Sequence, residues 1–181
     1  MVAVKTSLYQ IDFSAQYCGR TFGATKRTIK FCFGFADPAA IAKGHIGAEC
    51  RGEEHEVVCI WSVSSGKQKI LLDGKEIHRF IPLSGGGCQV KMEHSFNLGK
   101  HHEIKLVAHA FPPVVPVNLD GSEQRQFDLY LDGLSFFDFV RLFELGRDGG
   151  GTLAVRRHIS TVHHYPIVGG RAVYVQRTPI Y

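Results

Sequence analysis

EHEVVCIWSVSSGKQKILLDGKEIHRF, residues 54–80, reads as three strands joined by two turns. His55 to Val63 is rich in Val, Ile, Cys and Trp and alternates as a half-buried strand does. Ser64, Ser65, Gly66 and Lys67 supply turn chemistry, and Gln68 to Leu72 forms a second strand. Asp73 and Gly74 then fit a two-residue type I′ turn, whose central residues both take positive φ. Lys75 to Phe80 completes a hairpin.

The same design recurs downstream, in HHEIKLVAHAF (101–111) and QRQFDLYLDGLSFFDF (124–139). His102-Glu103-Ile104 matches His55-Glu56-Val57 at an offset of 47, and Leu131-Asp132-Gly133 matches Leu72-Asp73-Gly74 at an offset of 59. The surplus of 12 falls in the Pro-rich stretch PPVVPVNLDGSE, residues 112–123. One supersecondary unit is therefore used twice, with an insertion in the second copy. A three-stranded meander leaves one apolar face open, and two copies close it by packing face to face. Further strands are expected in SLYQIDFSA (7–15), KRTIKFCFGF (26–35) and GCQVKMEHSFNL (87–98), where Val90, Met92, His94 and Phe96 share one side.

Nothing in the chain sustains a 3.6-residue apolar period. The longest helical candidate, DPAAIAKG (37–44), has Asp37 as N-cap, Pro38 at the first helical position and Gly44 as a stop, enough for two turns at most. The 13 Phe and 6 Tyr agree with strands. The fold class is all-β: an antiparallel β-sandwich of eight to ten strands over residues 1–146, with a duplicated hairpin unit and a C-terminal arm.

The string SGKQKILLDGKEIH, followed by HEIKLVAHA and FDLYLDG, resembles the β-sandwich repeat of the Fas apoptotic inhibitory molecule family. A longer string, from CRGEEHE through FDFVRLFELG, also resembles a protein group common in diatoms and related algae. The resemblance covers about residues 50–146 and leaves out residues 1–35 and the tail. It implies a non-enzymatic interaction protein, linked in animals to death-receptor signalling and to protection of stressed proteins.

Chemistry-bearing motifs are scarce. The ten histidines lack the spacings that converge three or four ligands on zinc. His55 and His102 occupy equivalent repeat positions, each followed by Glu, which suits a structural role such as bonding a turn. The SGGGC loop (84–88) has no strand–elbow–helix context to present Cys88 as a nucleophile. DGGGT (148–152) lacks the Gly-Lys-Ser/Thr of a phosphate cradle. CRGEEHE (50–56) reads as an entry loop with Arg51 among carboxylates. No catalytic residue, metal or cofactor is assigned.

The formal charge of +4 is mild, but its distribution is uneven. Residues 147–181 hold five Arg and one acid, after a Gly-rich linker. Five cysteines without a C-x-x-C pair, no N-glycosylation acceptor, no secretory leader and no long apolar run favour an intracellular, cytoplasmic setting. Cys32 and Cys59, within apolar runs, are expected reduced and buried. The expected function is non-catalytic: a β-sandwich subunit or adaptor that binds a protein partner or a neighbouring protomer. A small-molecule or metal-dependent enzyme on a β-sandwich or jelly-roll scaffold is the competing class. Nucleic acid is not expected, because no stacking platform or dense basic stripe is present. Phe136, Phe137, Phe139 and Phe143 are expected first to close the sandwich and otherwise to form a contact surface; with Arg156, Arg157, Arg171, Tyr174 and Tyr181 of the arm they are the candidate partner-binding residues.

Overall fold

The computed structural model describes residues 7–18, 25–83, 87–113 and 124–147. In chain order the strands are β1 (Leu8–Tyr17), β2 (Lys26–Ala36), β3 (Arg51–Ser62), β4 (Gln68–Leu72), β5 (Lys75–Phe80), β6 (Lys91–Leu98), β7 (His102–His109), β8 (Phe127–Leu131), β9 (Leu134–Ser135) and β10 (Val140–Arg141). They form two sheets. One has the order β10-β1-β2-β3-β4-β5 and the other β6-β7-β8-β9. Among the described residues one α-helix, α1 (Pro38–Ala42), follows β2; Asp37 caps it by accepting the Ala39 N–H at 2.8 Å.

Period two decides what each strand buries. Ile29, Phe31 and Phe33 of β2, Val57, Cys59 and Trp61 of β3, and Ile70 of β4 point inward from the six-stranded sheet. Met92 and Leu98 of β6, Ile104, Leu106 and Ala108 of β7, and Leu129 and Leu131 of β8 meet them from the four-stranded sheet in one apolar cluster. Full burial of each large side chain stabilises the fold by roughly 1.5–3 kcal/mol before entropy is counted. The expected sandwich is the observed architecture.

The two copies of the hairpin unit sit in different sheets: β3-β4-β5 in one, β7-β8-β9 in the other. Asp73 and Asp132 both have φ of 51°, and Gly74 and Gly133 have φ of 77° and 83°. Each Asp also latches the first strand of its unit. The Asp73 carboxylate accepts the Glu56 N–H at 2.8 Å and lies 2.9 Å from His55 Nδ1. The Asp132 carboxylate accepts the Glu103 N–H at 2.9 Å and lies 2.7 Å from His102 Nδ1. The ring of Phe35 lies between the two latches, 5.9 Å from that of His55 and 4.8 Å from that of His102.

Three expectations need correction. The aromatic run after Gly133 is no long third strand: β9 stops at Ser135, whose hydroxyl accepts the Phe137 N–H and starts a 3-10 turn at Phe136–Asp138. That turn drops Phe136 and Phe139 into the core, leaving them 1% and 4% exposed. The chain then crosses to the other sheet, where β10 pairs with β1 in parallel, Tyr9 opposite Val140. The sandwich is thus antiparallel but for this one short pair among the described strands. Second, β6 starts at Lys91, so Val90 precedes the strand and is exposed rather than aligned with Met92. Third, Cys59 is buried as expected, its thiol pushed up to about 12 by burial, but Cys32 is only half-buried on the outward side of β2.

A smaller cluster of Tyr9, Ala36, Cys50 and Leu145 seals one end of the six-stranded sheet. Tyr9 crosses the strand beside Gly34, where a Cβ would stand 2.5 Å from the ring carbon Cζ. Its hydroxyl donates to Glu54 Oε1 at 2.7 Å, and Arg51 forks onto the same carboxylate at 2.6 and 2.8 Å. The Arg51 fork, opposed by partial burial and joined by the Tyr9 bond, holds the Glu54 carboxyl below its usual range. CRGEEHE is therefore not the expected entry loop: β3 already begins at Arg51, where its pairing with β2 orders the charged residues as strand, and only Cys50 lies before it, in a 3-10 turn.

Candidate functional site

The outward face of the four-stranded sheet is built by the residues that alternate with its core. Register places Glu93, Val107 and Asp128 in one row across β6, β7 and β8, and Ser95, Lys105 and Tyr130 in the next. Lys91 and His109 pair at the open end. All of these but Ser95, with Gln124 and Arg125 leading into β8, line a cleft of about 470 Å³.

Asp128 is the unusual member. It lies on the outward face yet is 3% exposed, because the segment after the Asp132-Gly133 turn folds back over it. The Ser135 hydroxyl sits 2.9 and 2.8 Å from its two oxygens, and the Leu129 N–H donates to Oδ1 at 2.8 Å. Burial pushes the Asp128 carboxyl above its usual range, against the downward pull of Ser135, Leu129, Arg125 and Tyr130. Burial, then the nearby Asp128 charge, raises the Tyr130 hydroxyl to about 12, so it stays a neutral donor at physiological pH. The Arg125 guanidinium lies 4.3 Å over the Phe137 ring, a cation–π contact that closes the same side of the cleft.

The opposite wall is a charge triad. The Glu93 carboxylate bridges Lys105 and Lys91, each at 2.6 Å. The hydrogen bond from Lys105, then that from Lys91, holds the Glu93 carboxyl down at about 2. Burial, then the Lys91 charge, lowers the His109 pKa. Charges here are mutually compensated, and the one buried carboxylate is saturated by internal donors. Among the described residues no group of three or more His, Cys, Asp or Glu is placed to hold a metal ion.

The sequence-predicted contact residues are scattered by the fold. Phe136 and Phe139 belong to the core and offer no ring to a partner. Phe137 is half-buried between Phe13, at 5.2 Å, and Arg125. Phe143 is 48% exposed, the one of the four that faces out. Arg156, Arg157, Arg171, Tyr174 and Tyr181, and with them the arm over 147–181 beyond Arg147, lie outside the described residues. The cleft residues Asp128, Tyr130, Lys91 and Lys105 went unremarked in the sequence, although FDLYL does place Asp128 and Tyr130 opposite Phe127, Leu129 and Leu131. No helix among the described residues is long and apolar enough to cross a membrane.

Comparison with known proteins gives no significant match to a family model, to a curated protein or to a solved structure.

Proposed function

We propose that the protein is a non-catalytic binding module, an adaptor or a subunit of a larger assembly, that engages a protein partner through the outer face of β6, β7 and β8. The observation that carries this reading is the state of Asp128: the buried carboxylate in the β6–β8 cleft is already saturated by Ser135 and Leu129, so it shapes a wall instead of awaiting a proton. What the face offers outward is a set of paired charges, Lys91, Glu93 and Lys105, with the Tyr130 ring. That pattern suits recognition by charge register more than bond-breaking. The resemblance to the Fas apoptotic inhibitory molecule repeat is part of the same proposal, since that family too consists of interaction proteins. So is the basic segment over residues 147–181 as a second contact.

A photo-crosslinking residue placed at Lys105, compared with one at Gln16 in the other sheet, tests the reading in the native source. Capture of one discrete protein from position 105 and not from 16, lost when Lys91 and Glu93 exchange charge, is the expected result. Equal labelling from both positions would sink it. Stoichiometric zinc or iron in the purified chain would favour a metal-dependent enzyme instead.

A further inference from the structure

The outer face of the six-stranded sheet carries a second cleft, of about 280 Å³, at the corner where β3 turns into β4. Its floor is Ile60, whose cross-strand neighbour is Lys69, which in turn pairs with Arg79. Lys26 stands opposite Ser62 at one end, Lys67 sits in the β3–β4 turn, and Phe80 and Ile81 form the rim, 43% and 55% exposed. Every charged side chain lining this cleft is basic. Glu76 partly offsets two of them, accepting from Lys69 at 3.1 Å and from Arg79 at 2.7 Å. Lys26 and Lys67 have no acidic partner within the described residues.

Unpaired cations around an apolar floor ask for a ligand with the opposite arrangement. We propose that this groove binds an extended acidic segment of a partner protein, seating a large apolar side chain between Ile60, Phe80 and Ile81 and its carboxylates on Lys26 and Lys67. The charge complementarity is direct, and burying Phe80 and Ile81 supplies the apolar contribution that ion pairs at a surface lack. A concave groove accepts one chain, where a lipid surface meets a flat or convex patch. One aromatic ring and an intervening Glu76 are a poor platform for stacked bases. The inference concerns the opposite sheet and does not rest on the reading of the β6–β8 cleft.

The test uses the full chain and a short fluorescein-labelled peptide with a Leu-Phe pair flanked by glutamates. Fluorescence anisotropy should show saturable binding that weakens as salt is raised. Lys26→Glu together with Lys67→Glu should weaken it about tenfold or more, and Phe80→Ser should weaken it as well. Lys100→Glu, in the exposed turn between β6 and β7 of the other sheet, should leave it unchanged. If the double charge reversal fails to fold, Lys67→Gln alone carries the comparison. Absence of saturable binding, equal affinity of the charge-reversed chain, or tighter binding of phosphatidylserine vesicles or of a single-stranded oligonucleotide than of the peptide would each overturn the assignment.

Discussion

The ring of His78 stacks on that of His94, their centroids 3.8 Å apart and their planes at 30°. His78 belongs to β5 and His94 to β6, the edge strands of the two sheets, so the stack spans the seam of the sandwich. Its neighbour on β6, Phe96, continues the aromatic column at 6.2 Å.

Two neutral imidazoles stack well and two imidazoliums repel. At about 4 Å the repulsion is about 1 kcal/mol at the dielectric of water and about 4 kcal/mol at a surface value. Burial, then the proximity of His78, holds the His94 pKa below its ordinary 6.5. A depressed His favours the unfolded chain once protons bind. Its contribution is therefore intact above pH 6.5 and is lost as pH falls through and below that value. The melting temperature should drop by several degrees between pH 7.5 and pH 5, and His94→Phe, which keeps the stack but not the titration, should flatten that drop. An unchanged profile in the variant would remove the seam from the account.

The twin turns make a graded prediction. Nothing lies within 4 Å of a Cβ built at Gly74 or Gly133, so a side chain there costs backbone strain and no clash. Gly74→Val should destabilise by about 1–2 kcal/mol or more, since a β-branched residue tolerates positive φ poorly. Asp73→Ala should cost more than Asp132→Ala, because the His55 side chain is 8% exposed and that of His102 39%. A buried ring nitrogen that loses its partner carries a larger penalty than a solvated one. Urea denaturation of the two variants would show the order, and the reverse order would refute the argument from burial.

Those turns were also the most legible part of the sequence. Asp-Gly between strand formers is a local signal, and its repetition after a second His-Glu pair, once the 12-residue insertion is allowed for, revealed a unit used twice. The position of Asp128 was not legible. Period two put it on the outer face of β8, and only the fold-back of Ser135 and Phe137 after the turn buries it. The aromatic run misled for the same reason: alternation predicts a strand, while the Ser135 cap ends it and turns Phe136 inward. Both depend on where the chain goes after the hairpin, which composition and periodicity do not encode.

Asp128 itself should tolerate loss of charge better than loss of its oxygens. Asp128→Asn keeps an acceptor for the Leu129 N–H and removes the burden of a buried charge. Asp128→Ala strands both the Ser135 hydroxyl and that N–H, at about 1–3 kcal/mol. Thermal denaturation at pH 7 should rank Asn near the parent and Ala well below it. If both fall equally, the carboxylate charge is what the site requires, and the electrostatic pull of Arg125 moves to the centre of the argument.

Arg27 gives the sharpest contrast between charge and shape. It is 5% exposed on β2 and reaches across the sandwich, donating from Nη1 to the His109 carbonyl at 2.8 Å and from Nη2 to the Ala110 carbonyl. Its guanidinium lies 5.3, 5.6 and 5.8 Å from the rings of Tyr17, Trp61 and Phe127. Carbonyl dipoles and aromatic faces hold it, and its Nε has no partner among the described residues. Burial accordingly lowers its pKa. Arg27→Lys retains the buried charge but loses the planar fork and the ring contacts, and should cost about 2 kcal/mol or more. Arg27→Met removes the charge at similar volume, and Gln126 still bonds both carbonyls, at 3.2 and 3.4 Å. It should cost less than the lysine, by at least about 1 kcal/mol. Chemical denaturation of both variants decides the point: if methionine is the more damaging, the guanidinium is a net source of stability and the desolvation argument fails.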